Sequence, residues 1–212
     1  RSNKLMYDRN TDTLWHQMWG TPAFGPLVGS GVELERLPVA LTTWEAWYAE
    51  HPDTQVMDFD TGYSRDYGVG AAYAEYFDSP DTMFPVWQRN DVLPTKSWVF
   101  AQLIDEQPKA YPLSVLEEEL VVNDSLAGQN LVVLYDDGGH GARAYQRDEH
   151  VFGPGPEETA AALVDETGER WQVTEEALVG EDGQELARLP GHMAYWFGWY
   201  QFFPQTLIYG EL

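Results

Sequence analysis

The sequence predicts a β-rich α+β fold in one domain, made of two related halves that each carry a small antiparallel sheet and one short aromatic helix. Three observations lead to it: an internal repeat, a set of strand-like apolar runs, and aromatic residues recurring at helical spacing. TTWEAWYAEHPDTQVM (42–57) returns as AYWFGWYQFFPQTLIY (194–209), and ELERLP (33–38) returns as ELARLP (185–190), both at an offset of 152 residues. That offset aligns Trp44 with Trp196, Trp47 with Trp199, Tyr48 with Tyr200, Pro52 with Pro204 and Thr54 with Thr206. Further back, MYDRNTDTLWHQ (6–17) resembles LVDETGERWQ (163–172) once a few residues are dropped in between. Large residues kept in step at one period mark related structural units. An incomplete first unit covers about 1–58, a long connecting loop 59–97, and the second unit 98–212.

Each unit opens with a strand ending in Asp8 or Asp165, turns through Asn10-Thr11-Asp12 or Thr167-Gly168, and returns through Trp15 or Trp171 as a hairpin. An extended stretch then runs through Arg-Leu-Pro to a short helix. In the first unit Thr42 and Glu45 form a capping box, and Pro52 ends the helix because the residue before proline resists the α region. Trp44, Trp47, Tyr48 and His51 share one face of that helix, and so short a helix needs that face buried. The second helix is apolar all round, which places it in the core or under a partner. A Gly-, Tyr- and Asp-rich stretch from Asp58 to Asp81 reads as an ordered loop or cover. WVFAQLID (98–105), ELVVND (119–124) and NLVVLYD (130–136) read as strands, with Asp124–Gly128 the turn between the last two, and PGPEE (154–158) reads as a loop.

Composition narrows the functions. Acidic residues number 35 against 12 basic, a formal charge of -23, so nucleic acid and anionic membranes would repel the chain. Lysine occurs only at 4, 96 and 109. A dispersed acidic surface poor in lysine points to a salt-adapted protein, with an ordinary acidic protein as the alternative; at about 1 M salt the Debye length falls to roughly 3 Å and self-repulsion is screened. There is no Cys, which excludes disulfides and thiolate metal sites. No apolar run approaches the ~20 residues of a membrane span, and no signal peptide is visible. The start at Arg1 rather than Met reads as a processed or truncated product.

MYDRNTDTLWHQ, GPLVGSGVELERLPVALTTWEAWYAEHPDT (25–54), AYPL (110–113), VVND (121–124), LAGQNLVVLYD (126–136) and GHMAYWFGWYQFFPQT (191–206) together resemble the prokaryotic "domain of unknown function 3179" family over nearly the whole chain. The resemblance implies an earlier segment with an AYP and ND pattern running into a Tyr-Cys-Pro-Leu-Cys-Gly-like loop, so the first unit lacks its front half. It also implies that Tyr135–Gly141 is a cysteine-free relic of that loop.

Candidate site residues are few. Asp136, Asp137 and His140 sit on a Gly-rich loop after a strand, where a polar ligand or hard metal could approach; two carboxylates and one imidazole fall short of a metal signature. The Asp8-x-Asn10-x-Asp12 pattern fails as a calcium loop, because Thr13 stands where Gly is needed and Trp19 where Glu is needed. His51 and His192 occupy family-motif positions, with a buried helix-end histidine as the structural alternative. Asp8, Arg9 and Gln17 would meet across the first hairpin, as an internal salt bridge or an anion site. No nucleophile elbow, Walker loop, dinucleotide fingerprint or zinc motif occurs, and no cofactor or metal is expected. The sequence therefore points to a non-catalytic extracytoplasmic surface, assembly or binding component whose aromatic-rich face meets another chain. The alternative is an enzyme or redox protein whose cysteine-containing loop lies upstream of residue 1.

Overall fold

The computed structural model describes residues 3–68, 70–136, 138, 141–156, 160 and 162–210. Along the chain β1 (Leu5–Asp8), β2 (Thr13–His16) and β3 (Pro22–Phe24) precede α1 (Trp44–Glu50) and α2 (Ala74–Asp78). Then come β4 (Trp98–Ile104), β5 (Gln107–Pro112), α3 (Leu113–Glu119), β6 (Val121–Leu126), β7 (Gln129–Asp136) and β8 (Gly141–Gln146). The last third holds β9 (Gly153–Pro154), β10 (Ala162–Val164), β11 (Arg170–Val173), β12 (Ala177–Gly180), β13 (Glu185–Leu189), β14 (His192–Tyr195), α4 (Trp196–Tyr200) and β15 (Leu207–Ile208). The protein is β-rich, and no described helix is long and apolar enough to cross a membrane.

The described strands form three sheets. The largest has the order β6-β7-β8-β13-β12-β11-β10-β9, entirely antiparallel. Strand β7 lies between β6 and β8 and reads QNLVVLYD because both of its faces are covered. Leu131, Val133 and Tyr135 join one core cluster with Leu116 of α3, while Val132 and Leu134 join another with Trp171, Leu178 and Leu186. The period-two alternation of a strand sends neighbours to opposite cores. Ala127 and Gly128 turn β6 into β7. The turn is shorter than the Asp124–Gly128 stretch the sequence predicts, because Asp124 stays in its strand, held by the Tyr111 hydroxyl at 2.7 Å and the Lys109 ammonium at 2.5 Å.

A second sheet runs β14-β4-β5-β15, its last pair parallel. Strand β5 hides from sequence reasoning because QPKAYP carries two prolines and a lysine, yet it pairs with β4 through a turn at Asp105 and Glu106. Helix α4 lies on this sheet with Trp196 1% and Trp199 0% exposed, packed with Val99, Ala101, Ala110, Phe202 and Phe203. Gly191 makes the entry to β14 possible, since a Cβ there would stand 2.2 Å from the Phe100 ring. Both indoles of α4 find an acceptor: Trp196 Nε1 donates to Asn90 O at 3.0 Å and Trp199 Nε1 to Thr206 Oγ1 at 3.0 Å.

Helix α1 repeats these contacts at the 152-residue offset. Trp47 Nε1 donates to Thr54 Oγ1 at 2.9 Å, matching Trp199 and Thr206. Trp47 stacks on His51 with centroids 4.1 Å apart, as Trp199 stacks on Phe203 at 4.2 Å. Trp44 and Tyr48 sit at 5.3 Å, Trp196 and Tyr200 at 5.1 Å. Two expectations are nevertheless corrected. The N-cap is Thr43, whose side chain accepts from the Ala46 N–H, and not Thr42. The aromatic face of α1 is not buried: Trp44 is 53% exposed and Trp47 41%. No described strand lies over α1 as β4 and β5 lie against α4, so its rings stack on one another instead. The connecting stretch 59–97 contains α2 and is pinned by Lys96, whose ammonium donates to the Tyr76 and Ser79 carbonyls and covers the Tyr76 ring at 3.5 Å.

Two truncations of equivalent residues should therefore differ. Trp199→Ala is expected to cost about 3–5 kcal/mol of unfolding free energy, and Trp47→Ala about 1 kcal/mol or less, measured by urea denaturation. Equal losses would place α1 in the core.

Candidate functional site

Between α1 and one face of the eight-stranded sheet lies a cleft of about 550 Å³. The segment that forms its outer wall is brought in by two close approaches. Thr43 Oγ1 donates to Gly138 O at 3.2 Å, and the Leu41 carbonyl passes so near Gly141 that a Cβ there would sit 2.5 Å from it. Glycine at 141 is what lets this segment lie against the start of β8.

Trp47, Glu50 and His51 of α1 line it on one side; Tyr135, Asp136 and Arg143 come from β7 and β8, with Glu175 and Glu176 from the loop after β11. The inner wall is an ion-pair chain. Arg143 reaches Asp136 at 2.5 Å through Nη1 and Glu175 at 2.8 Å through Nη2, and Arg188 closes the chain on the other oxygen of Glu175. Burial pushes the Glu175 carboxyl up, but Arg143 and Arg188 outweigh it and hold it below the usual range. Beneath them Tyr145 donates to the Thr174 carbonyl at 2.7 Å, and burial first of all lifts its hydroxyl to about 12. Glu50 and Glu176 stand exposed at the rim. The inner wall holds fixed charge in place, while the outer wall offers flat aromatic surface that a side chain can stack on.

Of the residues the sequence nominates, His51 and Asp136 meet at this cleft. Asp137 and His140 lie outside the described residues. His192 begins β14 opposite Ala101, on another sheet, with Nε2 buried and unpaired among the described residues. Burial, followed by the neighbouring Arg36 charge, lowers its pKa. The Asp8–Arg9–Gln17 cluster does not form. The hairpin register sets Asp8 against Thr13 and Leu5 against His16, so Gln17 falls at the far end from Asp8. Asp8 serves the turn, accepting from Asn10 N at 2.9 Å and Thr11 Oγ1 at 2.5 Å, and Arg9 is exposed. Sequence reasoning missed Arg143 and Glu175. The one available signal was Arg143 standing inside the small-residue strand GARAYQ, where an arginine needs a carboxylate.

One further set of ligand-type atoms, from His150, Asp165 and Glu166, falls within 4.8 Å of one another. Their lone pairs are mostly engaged already. Asp165 accepts from Thr167 N and Oγ1, Glu169 N and Trp171 Nε1, and Glu166 accepts from Val151 N. Burial raises the Asp165 pKa, but those hydrogen bonds dominate and hold it at about 2. The cluster fastens the β10–β11 hairpin.

The family model described as "Protein of unknown function (DUF3179)" matches residues 1–206. No curated protein and no solved structure matches the chain.

Two measurements check these sites. Asp165 has a depressed native pKa, so its stabilising contribution is complete above the ordinary value of 3.8 and disappears as pH falls toward about 2. Asp165→Asn should flatten the acid limb of stability in that window. Glu175→Gln should cost about 1–3 kcal/mol by denaturant unfolding, because it leaves Arg143 and Arg188 poorly matched.

Proposed function

The chain belongs to the DUF3179 family, and on that premise we propose that it is a non-catalytic surface, assembly or binding component whose aromatic-rich face, in its first half, meets another protein chain. One observation carries the reading. Among the described residues, every exposed large apolar side chain except Val151 and Leu207 lies at or before Trp98. Trp44, Trp47, Tyr48, Phe59, Tyr63, Phe84 and Trp87 are among them. Isolated exposed apolar residues are ordinary, but a concentration of this kind marks an interaction surface.

In this reading the chain is a duplicated module. The support is the matched pair of tryptophan–threonine bonds and ring stacks at a single offset. The second copy buries its helix and the first keeps its helix for a partner. The charge of -23 with three lysines supports a salt-adapted, extracytoplasmic setting, where screening lets acidic surfaces approach.

Hydrogen exchange tests the binding reading. Residues 43–54 should be protected in protein isolated from its native cells and open in the recombinant Arg1–Leu212 chain; openness in both ends the proposal. Salt adaptation has its own test. Raising NaCl from about 0.1 M to about 2 M should raise the thermal midpoint by relieving self-repulsion, and an unchanged or falling midpoint counts against it.

A further inference from the structure

We infer that the cleft between α1 and the eight-stranded sheet receives a guanidinium group, the planar cation of an arginine side chain or of a small arginine-like molecule, stacked against Trp47 and held by Glu50 and Glu176. The inference goes beyond the binding reading above. It concerns the cleft and not the exposed apolar surface, and it has its own test.

The sign of the ligand follows from what the walls leave unspent. Among the described residues Arg143 is the one Lys or Arg lining the cleft, and its Nη1 and Nη2 are committed to Asp136 and Glu175. Glu175 gives its other oxygen to Arg188. Two guanidinium groups thus balance two carboxylates, and the inner wall is neutral as a set. Glu50 and Glu176 line the same cleft, stand exposed, and form no ion pair among the described residues. They leave uncompensated negative charge at the mouth of the cleft, on a chain whose formal charge is -23. An anion is repelled there and a cation is drawn in.

The aromatic wall narrows the cation. Trp47 donates its indole N–H to Thr54 at 2.9 Å and is braced by the His51 ring at 4.1 Å, yet it remains 41% exposed. A ring fixed in this way, with its N–H already satisfied, offers a π surface and no donor. With the Arg143 nitrogens spent as well, the cleft is rich in acceptors and poor in donors. A phosphate needs donors, and a neutral sugar needs both kinds of partner. A guanidinium brings N–H donors along its edge and no acceptor, lies flat on an aromatic ring, and forks onto a carboxylate. A compact ammonium would use the charge and not the plane. The site is also formed in advance, because the Thr43–Gly138 bond and the Leu41–Gly141 approach fix the segment that carries α1 against the start of β8. Its volume of about 550 Å³ suits a small ligand.

The test is two-dimensional amide and indole NMR of the isotope-labelled Arg1–Leu212 chain, titrated with Nα-acetyl-arginine methylamide at constant ionic strength. The Trp47 indole signal and the backbone signals of Glu50, Arg143 and Glu176 should shift together and saturate below denaturing concentrations. Nα-acetyl-lysine methylamide should bind about threefold more weakly or worse. Trp47→Leu should weaken the arginine probe about fivefold, and Glu50→Gln and Glu176→Gln about two- to threefold each. Both glutamine variants replace exposed side chains, so their thermal midpoints should match that of the parent. A capped Gly-Arg-Gly peptide binding more tightly than methylguanidine assigns the site to an arginine of a protein chain, and the reverse order assigns it to a free small molecule; either result supports the proposal. Shifts that never saturate, that follow ionic strength alone, that the lysine probe produces equally, or that gather away from the cleft overturn it. Saturable shifts at Trp47 from the neutral disaccharide cellobiose, with none from arginine, overturn it in favour of a sugar. Failure here leaves the hydrogen-exchange test of residues 43–54 untouched.

Discussion

Burying an indole N–H without an acceptor is costly, and the bonds that three buried tryptophans make set the direction of their packing. Trp171 takes Asp165, Trp196 takes the Asn90 carbonyl and Trp199 takes Thr206. Each bond ties a bulky apolar group to a polar group at a fixed place in the chain. The Trp171 bond fixes the β10–β11 turn, the Trp196 bond draws the end of the long connecting stretch onto the helix, and the Trp199 bond sets where the chain leaves α4 for β15. The fold is therefore held by ring burial whose direction is set by hydrogen bonds.

The features legible in the sequence are those encoded locally. The strands β4, β6 and β7 are visible because apolar, β-branched runs end at turns. Strand β5 was hidden by Pro108 and Pro112, which its place in the sheet tolerates. Helix α3 was missed because it follows Pro112 without a side-chain cap, and only Leu116 reaches full burial.

The cleft was half legible. His51 and Asp136 could be nominated one at a time from motif positions, but nothing local says that β7, β8 and the loop after β11 converge on α1. That convergence depends on β13 joining β8, a pairing between residues more than forty positions apart. The exposure of Trp44 and Trp47 was misjudged for a related reason. Periodicity reveals which face of a helix is apolar, and burial of that face depends on what lies beside it. Two helices with nearly the same internal contacts can differ completely in solvent contact.

The lysines show a further effect of how the chain uses its scarce cations. Lys96 is enclosed by two carbonyls and a tyrosine ring, and Lys109 lies against Asp124 with the Tyr111 and Tyr209 rings beside it. Both ammonium groups act as internal fasteners. The outer skin is left almost without primary amines, so acylating reagents and lysine-directed proteases meet very few targets until the fold opens, and their rate of attack becomes a readout of its opening.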